Sequence, residues 1–197
     1  MSLQHKDKLQ KRGQCTNKPA TDKKPYTGQH HWLELDNNPT NEYLSNFEKE
    51  KIVYSEIVRE PQFYLDSGEF KFGNFYAEAT SFILSGNENF KHSLHYLLGI
   101  LHSKLITYAF KEFYAGGGLG ESGYRYKKAF LERLPIPKVD SKTEAEFIQI
   151  VQEILESKKQ GRDTKELEST LDTMVCKLYN LSQAEADSVL SLSLSLS

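Results

Sequence analysis

The chain has 197 residues, with 25 Lys or Arg against 27 Asp or Glu, so its formal net charge is −2. Hydrophobic residues make up 38% and aromatic residues 12%, which suits a globular domain and excludes a polycation that holds nucleic acid by bulk charge alone. No run approaches eighteen apolar residues, which excludes a membrane-spanning segment, and the polar residues after Leu3 predict no secretory signal. Cys15 and Cys176 lie too far apart for a disulfide framework, so a reduced, intracellular setting is expected.

The first thirty residues differ in composition from the rest of the chain. Residues 1–30 hold seven basic and two acidic residues and almost no large apolar side chains. Such a segment cannot offset its own ordering entropy. We therefore predict a polar basic arm or linker, extended or disordered, with the folded domain beginning at residue 31, next to Trp32.

Residues 32–86 are predicted to form a small, mostly antiparallel sheet. The segment 51–58 is rich in β-branched and aromatic residues and ends before Pro61, which is typical of a buried strand. Segments 62–65 and 70–72 flank a turn containing Gly68 and predict a hairpin. A further strand is predicted over 75–84.

A long helix is predicted over residues 92–113. Six large side chains fall on one stripe at helical spacing, which should pack against the sheet: Leu94, Leu97, Leu98, Leu101, Leu105 and Tyr108. A run of glycines at 116–118 and 120 should end this helix. A basic aromatic segment at 124–128 and a rigid extended exit at 134–137 follow.

The C-terminal part reads as helical. Apolar residues at helical spacing predict one helix after Thr143, capped by Thr143 with Glu146, and another after Gly161, capped by Asp163 with Glu166. The two should pair as an antiparallel hairpin over 141–190. Ser182 with Glu185 predicts a third, shorter start, and the Ser-Leu repeat at 191–197 is a low-complexity tail. The predicted class is α+β: a sheet on a long helix, then a helical hairpin.

The segment 116–128 is the strongest candidate for binding. Glycines let the backbone approach a polyanion closely, Arg125, Lys127 and Lys128 can neutralise phosphates, and Tyr124 and Tyr126 can stack or form hydrogen bonds. The alternative is a solvated basic loop.

Other motifs carry weaker signals. Gly118, Gly120 and Gly123 match GxGxxG, but the motif follows a helix instead of a strand, so a dinucleotide site is not expected. Asp66, Glu69 and Lys71 resemble the metal-binding set of many nucleases, but Asp66 and Glu69 would lie in one tight turn, so a solvated turn is the favoured interpretation. Three histidines on the long helix suggest a metal site that no further ligand completes: His92, His95 and His102.

The order and spacing of several segments resemble one known family. These segments are Lys49 to Ile57, Leu97 to Leu105, Tyr114 to Gly118, Tyr124 to Lys128, Phe130 to Pro137 and, in the tail, Leu171 to Leu181. Over about Trp32 to Pro137 they resemble the TaqI-like C-terminal specificity domain. This is the target recognition domain of type IIG restriction-modification enzymes and related adenine-N6 DNA methyltransferases.

The resemblance implies sequence-specific binding of double-stranded DNA in a bacterial, cytoplasmic protein. It implies no cofactor in this chain. S-adenosylmethionine, with magnesium as a further candidate, would serve a methyltransferase or nuclease part in the same or a partner polypeptide. Asn38-Pro39-Thr40 lacks the second proline and the ring of the family's catalytic motif, so no methyl-transfer centre is expected here. No membrane partner is expected.

Residue types divide the expected DNA contacts in two. Side chains that could address base edges are Gln62, Lys71 and Asn74, and those suited to the backbone are Gly116, Gly117, Gly118, Tyr124, Arg125, Tyr126, Lys127 and Lys128. Two alternatives remain open: an autonomous magnesium-dependent nuclease built on Asp66, Glu69 and Lys71, and a helical protein-interaction module.

Overall fold

A computed structural model describes residues 6–34, 40–68, 80–87, 89–115, 118–119 and 123–192. The chain forms two compact units, Met1–Ser45 and Asn46–Ser197. The second unit contains both the sheet and the C-terminal helices, which the sequence had divided between segments 31–140 and 141–190. The roles given to those segments stay predictions, and the 193–197 part of the tail lies outside the described residues.

The first unit contains local structure where a disordered arm was predicted. Its helices are α1 (Lys6–Gln10), α2 (Gly13–Thr16) and α3 (Asn41–Ser45). Cys15 is buried, and Gly28, at φ +88°, packs so closely that a Cβ there would lie 2.1 Å from the Cys15 carbonyl carbon. Arg12 donates hydrogen bonds to the carbonyl oxygens of Trp32 and Glu34, at 3.2 and 2.8 Å. Residues 6–30 therefore contain short helices and local contacts where an extended or disordered segment was predicted, and their role as an arm or linker stays a prediction.

Two antiparallel sheets lie in the second unit. The larger has the order β3-β1-β4, and the smaller is a two-stranded ribbon of β2 and β5. The strands are β1 (Lys51–Ser55), β2 (Ile57–Val58), β3 (Phe63–Asp66), β4 (Ser81–Ser85) and β5 (Tyr124–Arg125). The predicted residues 70–72 and 75–79 lie outside the described residues.

The segment 51–58 forms two strands, one in each sheet, instead of the single strand predicted. Glu56 is the point of change. Its N–H donates to the carbonyl oxygen of Thr80, which precedes β4, at 2.9 Å, and its carbonyl oxygen accepts from the N–H of Tyr126, which follows β5, at 2.6 Å. The partners on either side of Glu56 therefore differ, which periodicity along the strand could not reveal.

The predicted helix over 92–113 is divided into α4 (Leu94–His102), α5 (Lys104–Ala109) and a π-helical turn, Phe110–Tyr114. The break is at Ser103, whose ψ is 148°. Its hydroxyl donates to the carbonyl oxygen of Ile100 at 2.8 Å and accepts from the N–H of Ile106 at 3.3 Å. Asp172, 68 residues away in sequence, accepts from the Lys104 N–H at 2.8 Å. A tertiary partner thus stabilises the break, so the single helix predicted is wrong.

Three helices close the chain: α7 (Ser141–Lys159), α8 (Lys165–Leu178) and α9 (Gln183–Leu192), with the short α6 (Lys128–Leu131) before them. The cap of α7 is Asp140, which accepts from the Thr143 N–H at 2.7 Å, and not the predicted Thr143. The start predicted from Ser182 with Glu185 is confirmed, since the Ser182 N–H donates to the Glu185 carboxylate at 2.8 Å.

One core joins the sheet to the C-terminal helices. Helix α4 packs against β1, β3 and α7, and its Tyr96 and Ile100 are fully buried. Gly99 allows α4 to approach α7 and α8 closely, since a Cβ at this position would lie 2.9 Å from Val151 Cγ2 of α7 and 3.3 Å from Leu171 Cδ1 of α8. The predicted α+β class, with the sheet on a helix and a helical pair beyond it, is confirmed.

The exit segment 134–137 is held from both ends. The Tyr96 hydroxyl of α4 donates to the Pro137 carbonyl oxygen at 2.9 Å, and the Tyr179 hydroxyl donates to the Pro135 carbonyl oxygen at 2.6 Å. Burial, and then the charge of Glu144, raise the pKa of Tyr96 to about 12. The chain between the ribbon and α7 is thus fixed to both α4 and the end of α8.

Candidate nucleic-acid interface

The candidate DNA-binding segment forms one strand of the ribbon. Arg125 lies opposite Ile57 and Tyr124 opposite Val58. Gly123, at φ +97°, comes so close to β2 that a Cβ would lie 2.4 Å from the Val58 carbonyl oxygen. Because any side chain there would collide with backbone, Gly123 fixes how the basic segment enters the ribbon.

Alternation along this segment separates its rings from its charges. In a strand, successive side chains point to opposite faces, so Tyr124 and Tyr126 share one side and Arg125 takes the other. Tyr126 is 2% exposed, and its ring stacks on Phe110 at a centroid distance of 4.2 Å and an angle of 6°. Lys111 Nζ lies 5.2 Å from the centroid of the Tyr124 ring. The π-helical turn, which carries Phe110 and Lys111, therefore supports both tyrosines.

Tyr126 belongs to the core and not to the exposed surface. Burial, followed by the charges of Glu60 and Tyr124, raises the pKa of its hydroxyl. Among the described residues that hydroxyl has no hydrogen-bond partner. Because the Tyr126 side chain is buried, its ring is not accessible to a base, and the DNA contact predicted for Tyr126 has no support in the structure.

The basic side chains of the segment differ in their surroundings. Lys127 and Lys128 are exposed, and neither forms an ion pair within the part of the chain that the structure describes. Arg125 is 39% exposed and its Nε lies 3.6 Å from Glu56 Oε1. Two unpaired cations and one loosely paired cation thus follow each other on one short stretch, in a suitable order to contact successive phosphates.

The structure describes only two of the other residues that were predicted to contact DNA. Gly118 is exposed, and a Cβ there would lie 3.6 Å from the Tyr124 ring. Gln62 is exposed and directly precedes Phe63, whose ring lies 5.7 Å from that of Tyr126. Four predicted residues lie outside the described residues: Gly116, Gly117, Lys71 and Asn74.

Sequence reasoning missed three charged residues beside the ribbon. Lys111 pairs with Glu60 at 2.9 Å, and Glu56 lies beside Arg125. Glu56 and Glu60 flank β2, four positions apart, but only the tertiary structure shows that they reach cations from elsewhere in the chain, Arg125 of β5 and Lys111 of the π-helical turn. In the sequence, the alternation of aromatic and basic residues at 124–127 was the signal that could have predicted which side chains are buried and which are exposed.

The predicted nuclease set loses its first ligand to a buried ion pair. Asp66 and Lys51 are both fully buried, with Asp66 Oδ2 2.5 Å from Lys51 Nζ, and Lys51 also donates to the Phe47 carbonyl oxygen at 2.6 Å. The other carboxylate oxygen of Asp66 accepts from the Gly68 N–H at 2.9 Å. Glu69 and Lys71 lie outside the described residues. Asp66 therefore has a structural partner and no accessible oxygen for a metal.

The helix histidines likewise have separate partners. His92 Nδ1 lies 3.1 Å from the Glu144 carboxylate, His95 Nδ1 3.9 Å from that of Glu50, and His102 Nε2 2.8 Å from the Phe63 carbonyl oxygen. Within the described ranges, no group of three or more His, Cys, Asp or Glu could hold a metal ion. Among the same residues no helix is long and apolar enough to cross a bilayer.

Comparison with protein-family models matches residues 6–136 to the TaqI-like C-terminal specificity domain. That range covers well over half of the chain, and the chain belongs to this family. The match begins in the first compact unit, earlier than the resemblance seen from Trp32 onward. It includes the whole ribbon and ends beside Pro137.

Proposed function

We propose that this member of the TaqI-like specificity-domain family binds a short sequence in double-stranded DNA. It would be the target recognition part of a restriction-modification adenine-N6 DNA methyltransferase. The family match over residues 6–136 carries the proposal. The exposed Lys127 and Lys128 beside the ribbon support it, because exposed cations on a rigid support are suited to the DNA backbone.

The proposal divides the work between this chain and a catalytic part. Lys127, Lys128 and Arg125 bind phosphates, while base edges are read by exposed donors such as Gln62 and by Lys71 and Asn74. The parent enzyme is of type IIG or a related methyltransferase, in bacterial cytoplasm. S-adenosylmethionine, with magnesium if the parent also cleaves DNA, belongs to the catalytic part, in the same or a partner polypeptide.

Removing the two exposed lysines tests the backbone contacts. In fluorescence anisotropy titrations, Lys127→Ala/Lys128→Ala should weaken binding to duplexes of every sequence. The slope of log affinity against log salt should become shallower by roughly 0.9 for each phosphate that the variant no longer neutralises. The matched control is Lys142→Ala/Lys165→Ala, which removes two exposed lysines from α7 and α8. An unchanged slope, or an equally weakened affinity in the control, would exclude the segment from the interface.

Selection from a pool of random duplexes tests sequence reading separately. One short motif should be enriched, and Gln62→Ala should broaden the selected sequences without changing the salt slope. A pool that shows no enrichment although the chain binds duplex would contradict target recognition while leaving backbone binding in place.

A further inference from the structure

Arg125 is held close to a carboxylate of its own chain without being firmly bound by it. Its Nε lies 3.6 Å from Glu56 Oε1, and the two side chains form an ion pair. Nε nevertheless has no hydrogen-bond partner among the described residues. The two side chains are 39% and 23% exposed, so the pair borders solvent. A guanidinium that lacks hydrogen bonds to its counter-ion can exchange it for an anion of better geometry.

The main chain of Glu56 is fixed between the two sheets. Glu56 is bound on one side through its N–H to Thr80 and on the other through its carbonyl oxygen to the N–H of Tyr126. Because both bonds hold the main chain of Glu56 between the two sheets, its carboxylate stays within side-chain reach of the ribbon. A carboxylate there repels an approaching phosphate.

Glu60 forms a second and shorter ion pair beside the ribbon. Glu60 binds Lys111 at 2.9 Å, and the Lys111 side chain is only 7% exposed. Lys111 is therefore committed to the fold, whereas Arg125 is accessible to an external partner. Of the cations in and beside the ribbon, Lys127 and Lys128 are unpaired within the described residues, and Arg125 lies between these two extremes.

We propose that Glu56 restrains DNA binding by competing with DNA phosphate for Arg125. This inference rests on the proposed DNA-binding function. A duplex held loosely cannot offer a phosphate at hydrogen-bond distance, so Arg125 stays with Glu56 and contributes nothing. A duplex seated closely by matched base contacts offers a phosphate that accepts two guanidinium hydrogen bonds and displaces the carboxylate. In the loose complex Glu56 withholds a cation from the DNA, and in the close complex the Glu56–Arg125 ion pair has to be broken, so Glu56 lowers the affinity for both kinds of duplex.

The test substitutes Glu56→Gln, which keeps the size and the backbone bonds but removes the charge. With a duplex of arbitrary sequence at low salt, affinity should rise roughly two- to fivefold, the range set by an exposed ion pair. The slope of log affinity against log salt should steepen by up to about 0.9, as for one more phosphate. Affinity for the selected sequence should rise at least as much, because the unaltered chain has to break the ion pair to bind it.

Two comparisons make the effect specific to the pair. In an Arg125→Ala background, Glu56→Gln should raise affinity no more than Glu132→Gln does in the unaltered chain, because only the repulsion between a nearby carboxylate and phosphate is removed. Glu132→Gln, which removes the charge of an exposed carboxylate just after α6, should raise affinity less than Glu56→Gln does. An unchanged affinity in Glu56→Gln, an equal rise without Arg125, or an equal rise in Glu132→Gln would overturn the inference.

The outcomes also separate this inference from the function beneath it. Suppose that the chain binds duplex, that Lys127→Ala/Lys128→Ala weakens this binding, and that Glu56→Gln has no effect. The proposed competition between Glu56 and phosphate is then wrong, whereas the proposed DNA binding is supported. If neither the unaltered chain nor any variant binds duplex, both fail.

Discussion

Neighbouring residues in and beside the ribbon differ in their surroundings: some are buried in the core and others border solvent. Tyr126 and Arg125 are neighbours, yet the first is stacked on Phe110 and the second borders solvent. Strand alternation explains the difference once the strand is known to lie on the π-helical turn. Aromatic and basic residues in one short stretch therefore do not form one surface.

Tyr126→Phe tests this division at the level of one hydroxyl. The hydroxyl is buried without a partner among the described residues, so its removal should leave the free energy of unfolding unchanged or raise it by up to about 1 kcal/mol. The matched control is Tyr96→Phe, which removes a hydrogen bond to Pro137 and should cost about 1–3 kcal/mol. Urea denaturation measures both. A fall in DNA affinity in Tyr126→Phe would restore this residue to the interface.

Helices α4 and α7 are joined by the Glu144 side chain, which no sequence pattern had singled out. Glu144 of α7 accepts from the N–H of Ser93, the cap of α4, at 2.5 Å and lies 3.1 Å from His92 Nδ1. Burial alone would raise the pKa of Glu144, but the hydrogen bonds from Ser93 and His92 lower it below the ordinary value of 4.5. Glu146, predicted from the sequence to cap α7, is exposed instead.

The lowered pKa of Glu144 sets the sign of a pH dependence. A carboxyl whose pKa is lower in the folded state adds stability above its unfolded pKa, near 4.5, and this stability disappears as pH falls through the folded value. Glu144→Gln should therefore destabilise the chain by roughly 1–3 kcal/mol at pH 7, and the difference should shrink below about pH 4. Thermal melts from pH 7 to pH 3 measure this, with Glu146→Gln as the control. A difference that does not change with pH would show that the charge is not involved.

At the scale of the molecule, the sheet and the C-terminal helices depend on one core. Four side chains of α7 are buried in that core: Phe147, Ile150, Val151 and Ile154. The net charge of −2 hides an uneven distribution, because residues 101–140 hold seven basic and four acidic residues and residues 141–197 hold six and ten. The acidic helices thus support a basic ribbon through apolar contacts.

Truncation at residue 140 tests this dependence. Removing the four buried α7 side chains, at about 1.5–3 kcal/mol each, takes away an amount comparable to the whole stability of a typical domain, about 5–15 kcal/mol. The shortened chain should lose cooperative thermal unfolding and its near-ultraviolet circular dichroism. Truncation at residue 192, which removes only the end of the Ser-Leu tail, is the control. A cooperative transition in the chain ending at 140 would show that segment 31–140 folds alone, as its sequence pattern predicted.

The sequence by itself determined the fold class, the family and the position of most elements. Apolar residues at helical spacing located α7 and α8, and the ordered segments up to Pro137 matched the TaqI-like family, because local periodicity and residue order are written in the chain. Contacts between residues that are distant in sequence do not follow from these local patterns. Asp172 stabilises the break at Ser103, and Lys51 neutralises Asp66. Glu56 reaches Arg125 across the ribbon. Each of these depends on a register or a packing distance, so only the tertiary structure decided which charged groups are paired within the fold and which remain exposed to solvent.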